Sequence, residues 1–203
     1  MSLKSYPVNI SKKKLFLLSI PVFFSNLAIP LVGMVDTGLM GNMGDTKYLA
    51  ATSIATSVMT LIIWSFGFLR MGTVGIVAQL FGKGDYREIV RTLLRNFLIA
   101  IVIAIIIILF KPIIFNSIKY FFSISPETLD LINTYLSVRV FSTPAELITY
   151  ILIGFYLGIQ KTKISSLLIV TLSILNIAFS SIFVLSMNLN IFGVAMGTLI
   201  ASY

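Results

Sequence analysis

Fourteen consecutive residues, Phe97 to Phe110, carry no polar side chain. No water-soluble surface accommodates such a run. With its flanks it approaches the ~20 apolar residues needed to cross ~30 Å of hydrocarbon. The pattern recurs along the chain, and spans are expected near residues 15–41, 48–80, 93–117, 128–158, 163–187 and 190–203. Composition agrees: of 203 residues, 58% are apolar and 11% charged, with a mean hydropathy of +1.03. A soluble domain carries roughly 25% charged residues. The expected fold is an all-α polytopic membrane protein.

The second and fourth runs exceed what a bilayer needs, so tilted helices or projecting ends are expected there. The sixth stops at Tyr203 after 14 residues, too short to cross. The basic start followed by residues 12–30 resembles a secretory signal. However, the apolar run continues beyond 30 residues without a small-x-small cleavage site, so an uncleaved first span is expected. With no Pro/Gly/Ser-rich linker and no detectable internal repeat, residues 1–203 read as a single membrane domain.

Orientation follows from Lys and Arg in the loops. Lys4, Lys12, Lys13, Lys14, Lys83, Arg87, Arg91, Arg95, Lys161 and Lys163 fall on one side, and Lys47, Lys111 and Lys119 on the other. Ten against three predicts a cytoplasmic N-terminus in the cell's inner (plasma) membrane. The same distribution argues against nucleic acid as the partner of the +8 net charge, because the basic residues interrupt apolar runs instead of lining one face.

The absence of Cys and His excludes thiolate or imidazole metal sites, disulfides, cysteine nucleophiles and the Ser-His-Asp triad. Only seven acids remain, so an enzyme is not expected, and neither is a bound cofactor. The segment Gln79 to Asp85 reads as a wet turn and lacks the Gly-x4-Gly-Lys-Ser/Thr spacing of a phosphate-binding loop.

Candidate functional groups are therefore the polar residues inside spans, which are costly in hydrocarbon and tend to face a cavity or a partner. Asp36 lies about 31 Å along span 1 at 1.5 Å per residue, in the outer half of the bilayer once tilt is allowed. Desolvation disfavours its charged form, equipping it to take up a proton or pair with a cation. The alternative is an acid at the helix end reaching outer water. Pro21 and Pro30 in the same span each remove a backbone donor, giving either a switchable kink or a static bend. Arg139 and Glu146 share a face of span 4 about 10 Å apart along the axis, too far to pair directly without bending. Each is expected to find a partner on another helix, Arg70 with Glu146 being one pairing, within a structural ion network. Asn176 and Ser180 share a face of span 5, as a helix-helix hydrogen bond or a cavity wall. Gly154-x3-Gly158 and Gly193-x3-Gly197 are small-xxx-small patterns suited to close helix packing.

Taken in order, several segments resemble the N-terminal half of the multidrug and toxic compound extrusion (MATE) family, in its DinF-like branch. They are Ile20-Pro21 with Val35-Asp36-Thr37, Phe68 to Gln79 running into Gly82-Lys-Gly-Asp85, Tyr135 to Arg139 with Pro144, Gly154 to Gly158 followed by Gln160-Lys-Thr, and Leu175-Asn176-Ile. The resemblance covers nearly the whole chain. It implies one six-helix lobe of a twelve-helix transporter, with the sixth helix cut short and a C-terminal lobe as the missing partner. It implies antiport of organic cations or other amphiphilic drugs against protons or sodium. It implies Asp36 as the coupling carboxylate, Pro21 as the bending point, and Tyr135, Asn176 and Thr198 as members of a surrounding polar network. The family often carries a second acid four residues after the asparagine; here that position is Ser180, so like-charge repulsion is missing from the site. Other readings are a lipid-linked precursor flippase of the same superfamily and a non-transporting membrane scaffold.

Overall fold

A computed structural model describes residues 12–122 and 124–203, with the side chains of residues 12–15, 17 and 18 outside the description. Lys4 and the side chains of Lys12, Lys13 and Lys14, which carry part of the orientation argument, therefore lie outside the described residues. The described chain is helical throughout: α1 (Lys12–Gly41), α2 (Thr46–Ser65), α3 (Phe68–Lys83), α4 (Tyr86–Leu109), α5 (Lys111–Phe121), α6 (Pro126–Arg139), a 3-10 turn (Val140–Ser142), α7 (Thr143–Gly158), α8 (Thr162–Ser181), a π-helical turn (Ile182–Ser186) and α9 (Asn190–Ser202).

Among the described residues, five helical stretches are long and apolar enough to cross a membrane: Ser19–Gly41, Thr46–Lys83, Tyr86–Leu109, Pro126–Gly158 and Thr162–Ser186. Asn190–Ser202 is a shorter apolar helix. The two over-long runs are each broken inside. Residues Phe66 and Gly67 separate α2 from α3, and the 3-10 turn ahead of Pro144 separates α6 from α7.

Two boundaries differ from the sequence expectation, both because caps rather than charges end helices. The segment 79–85 is mostly helix. The turn is confined to Gly84, whose φ of +73° closes α3 with hydrogen bonds from Gly84 N to Phe81 O and from Asp85 N to Leu80 O. The next helix starts at Tyr86, seven residues before the expected span, because Asp85 Oδ1 accepts from Glu88 N at 3.0 Å. That helix then stops at Leu109, and Pro112 starts α5 in its first turn.

Outward and inward faces are inverted relative to a soluble bundle. Leu98, Val102, Ile105 and Leu109 on α4 are exposed, Leu98 to 66%, as expected of a lipid-facing stripe. Ala100 and Ala104 face inward against Leu147 and Ile151 of α7. A second core joins Met40, Ala51, Ala55 and Met59 to Ile132, Tyr135 and Leu136 of α6 and Val194 of α9. The α1–α2 turn is tied to the start of α6 by Lys47, which reaches Asp45 and Glu127 at 3.1 Å each. The Lys47 backbone N–H holds the Asp45 carboxyl below the usual carboxylate range.

Helices approach closely where glycines allow it. A Cβ on Gly154 would lie 2.7 Å from the Arg70 carbonyl oxygen, and one on Gly158 2.8 Å from the Val77 side chain, so α7 packs directly on α3. A Cβ on Gly197 would lie 2.5 Å from the backbone nitrogen of Ser180, fixing α9 against α8. Gly72 by contrast faces open space. Gly154→Val should therefore cost about 1–3 kcal/mol through overpacking, read as a lower unfolding midpoint in detergent. Gly72→Ala should leave the midpoint unchanged or raise it.

Candidate functional site

Asp36 sits five residues before the end of α1 at Gly41 and is 7% exposed. Three helices bring polar groups toward it. From α8 come Asn176 and Ser180, from α9 Thr198, and from α6 Tyr135 and Arg139. Asn176, Thr198, Tyr135 and Arg139, with Glu146 and Tyr150 of α7, line a cavity of about 310 Å3 that Asp36 enters. Helical periodicity explains the convergence. Asn176 and Ser180 are one turn apart on α8, and Ser180 Oγ donates to Asn176 Oδ1 at 3.3 Å. The Asn176 amide then donates to Thr198 Oγ1 at 3.1 Å, across the contact that Gly197 opens. Thr198 returns its own proton to Val194 O. On the opposite wall, Thr56 Oγ1 donates to the Tyr135 hydroxyl at 3.1 Å.

The carboxylate itself is left partly unsatisfied. Ser180 faces it, yet Asp36 Oδ1 is buried with no hydrogen-bond partner among the described residues. A buried oxygen without a partner is rare in folded proteins and marks a place for a water, an ion or a proton.

Arg139 and Glu146 pair directly, where the expectation was that they lie too far apart to do so without bending. The helix is not continuous between them: the 3-10 turn Val140–Ser142 separates α6 from α7, and the two long side chains close the remaining distance. Ser142, one turn from Glu146, bridges the two, with its hydroxyl 2.7 Å from Glu146 Oε1 and within reach of the guanidinium. The helix break helps further. Arg139 is in the last turn of α6 and Glu146 in the first turn of α7, where each helix dipole favours that charge. Arg70 is not the partner of Glu146: among the described residues no carboxylate lies within ion-pair distance of it. It stands near Tyr150 instead.

Pro21 and Pro30 lie within the continuous helix α1. One turn beyond Pro21, the buried Ser25 lies 3.4 Å from Ser166 of α8, holding the two helices together on that side of the kink-prone segment.

The sequence reading missed α2 as a wall of the site. Thr52, Thr56 and Thr60 recur at four-residue spacing, so one face of α2 carries hydroxyls toward α1. That stripe was legible but masked by the apolar residues around it.

Comparison with known proteins places the architecture. The MatE family matches residues 21–201. The chain belongs to this family. Similar proteins include the DNA damage-inducible protein F of Escherichia coli K12, 32% identical over 193 residues, covering 95% of this chain and 42% of that protein. The multidrug export protein MepA of Staphylococcus saprophyticus is 25% identical over 187 residues, covering 91% of this chain and 41% of that protein. An outward-facing structure of a multidrug resistance MATE family transporter of the MOP superfamily superposes with a TM-score of 0.83 at 22% identity, over 91% of this chain and 41% of that one. A MOP superfamily transporter from Pyrococcus furiosus, whose reversed pocket polarity suggests a different function for it, gives the same TM-score and coverage at 22% identity. The chain thus spans about two-fifths of the length of the relatives it matches, and its fold is that of their N-terminal lobe.

The ion pair can be tested by removing it in steps. Glu146→Gln alone should cost up to about 3–5 kcal/mol, because it strands the Arg139 charge. Arg139→Met with Glu146→Leu should cost less than either single change. The measurement is the midpoint of detergent-monitored thermal unfolding for the three variants.

Proposed function

We propose that this chain forms the cation-coupled lobe of an inner-membrane efflux antiporter, with its N-terminus in the cytoplasm. The observation that carries the reading is a carboxylate nine-tenths buried at a cavity, with one oxygen unpartnered. Membership of a family that includes multidrug export proteins supports it. Under this reading the substrate is an organic cation or other amphiphilic drug, and the driving ion is a proton or sodium. No resident cofactor is needed, because the ion gradient supplies the free energy. A C-terminal lobe, as long relatives have, would supply the facing wall of the substrate path.

The chain's own groups give the steps. With Asp36 ionised, its unpartnered oxygen attracts a cation or a proton. Occupation neutralises the charge and removes the need for water beside it. The segment of α1 around Pro21 lacks one backbone hydrogen bond and bends at low cost. The helix then moves against α8, and the cavity beside Tyr135 and Asn176 contracts and expels what it holds. Tyr135, Asn176, Ser180 and Thr198 form the network that registers this change, while Arg139 and Glu146 keep the α6–α7 wall fixed.

The flippase reading is not favoured. The cavity holds Asp36 and Glu146 against one guanidinium, a net negative balance that repels an anionic headgroup.

In cells carrying the protein in its membrane, Asp36→Asn should abolish drug resistance and gradient-driven efflux from vesicles while membrane abundance stays equal. Undiminished efflux by that variant would reject the proposal. Collapsing the proton or the sodium gradient separately identifies the ion.

A further inference from the structure

Asp36 also borders a second open space, which adjoins the cavity on the α8 side along Gly33, Thr56 and Thr60. This groove lies between α1 and α2 and has a volume of about 470 Å3. It runs along α2 from Thr52 to Trp64, twelve residues or about 18 Å of helix. Six hydroxyls line it: Thr37 on α1, and Thr52, Ser53, Thr56, Ser57 and Thr60 on α2. Thr56 bonds Tyr135 of α6, while the apolar packing of α2 is carried by Ala51, Ala55 and Met59.

Two residues that line this groove each bury a polar atom with no partner among the described residues. The atoms are Asp36 Oδ1 and Thr52 Oγ1, on residues 7% and 4% exposed. Asp36 and Thr52 belong to different helices and line the same space. Each atom would cost free energy if left facing vacuum or lipid. A site takes up water when it is roomy and offers several polar partners to each molecule. At roughly 30 Å3 per water in the liquid, the groove has room for several. Hydroxyls both donate and accept, so a row of them orients a hydrogen-bonded chain in either direction.

We infer that the α1–α2 groove is an aqueous path, a file of waters held by the hydroxyls of α2, through which Asp36 exchanges its ion or proton with solvent. This deepens the proposed function and rests on Asp36 being the exchanging group. The cavity on the α8 side then keeps to substrate and the polar network, so ion and substrate reach one carboxylate from two sides. Gly33, Thr56 and Thr60 stand at the boundary of both spaces, and Thr56 donates to Tyr135.

The sequence contains no cysteine, so single introduced thiols report cleanly. Ser53→Cys, Ser57→Cys and Thr60→Cys would be made in the protein in its native membrane and exposed to a small, charged methanethiosulfonate. Thiols react as thiolates, which require water. All three should be modified about an order of magnitude faster than Val58→Cys, which packs against the core. Uniformly slow modification would overturn the inference, because lipid or another protein segment would then fill the groove. Next, Asp36→Cys would be labelled alone and with a plug on either side. Ser57→Phe in the groove should slow its modification by a similar factor, and Thr149→Phe in the other cavity should not. Slowing by Thr149→Phe alone would place the access route in the substrate cavity and overturn the inference. That result would leave the Asp36→Asn efflux test unaffected, so the two readings fail separately. If Ser57→Phe is not recovered folded, the three-position scan still decides.

Discussion

Hydrocarbon offers no hydrogen bonds, and every polar group placed in it must find a partner inside the protein. That constraint organises this lobe. It makes the described backbone helical almost throughout. It also turns ordinary side chains into strong structural determinants, because Asn176, Thr198, Ser180, Tyr135 and Thr56 find partners in one another across helix contacts. Apolar residues meanwhile carry no inward drive of their own, and Leu98 and Val102 face outward as readily as Ala100 and Ala104 face in.

With no hydrophobic effect pulling helices together, close approach must come from shape. Glycines supply it at three contacts. Gly154 and Gly158 let α7 lie on α3, and Gly197 lets α9 lie on α8. The last contact sets the site, since it brings Thr198 to the Asn176 amide. A larger residue at position 197 would part the helices and break the network, although Gly197 does not line the cavity. Packing and chemistry are thus fixed by the same position.

The helices, their approximate ends and the inward polar residues were legible in the sequence because each leaves a local mark: an apolar run, a proline, an out-of-place Asp. What stayed hidden was relational. The direct pairing of Arg139 and Glu146 depends on the helix break at Val140–Ser142 and on Ser142 standing between them, neither of which residue spacing reveals. The start of α4 was placed late because charged residues near a membrane surface look like loop, whereas the Asp85 cap carries the helix through them. The hydroxyl face of α2 was overlooked because threonine and serine are cheap to bury singly. Only the fold shows that Thr52, Thr56 and Thr60 confront Asp36.

The balance of charge in the site bears on how one carboxylate could serve alone. Position 180, where the family resemblance leads one to expect a second acid, is Ser180, so Asp36 gains no like-charge neighbour there. Glu146 is the other acid lining the cavity, and it is committed to Arg139 at an α6–α7 junction whose dipoles stabilise that arrangement. The guanidinium is thus held by Glu146 and forms no ion pair with Asp36 among the described residues. One negative charge remains uncommitted, on a side chain with an unfilled hydrogen-bonding position. A site so balanced favours a single positive charge at a time. Under the proposed reading, an incoming drug cation and the coupling ion would then exclude each other through one group, and exchange follows from that exclusion without a second acid.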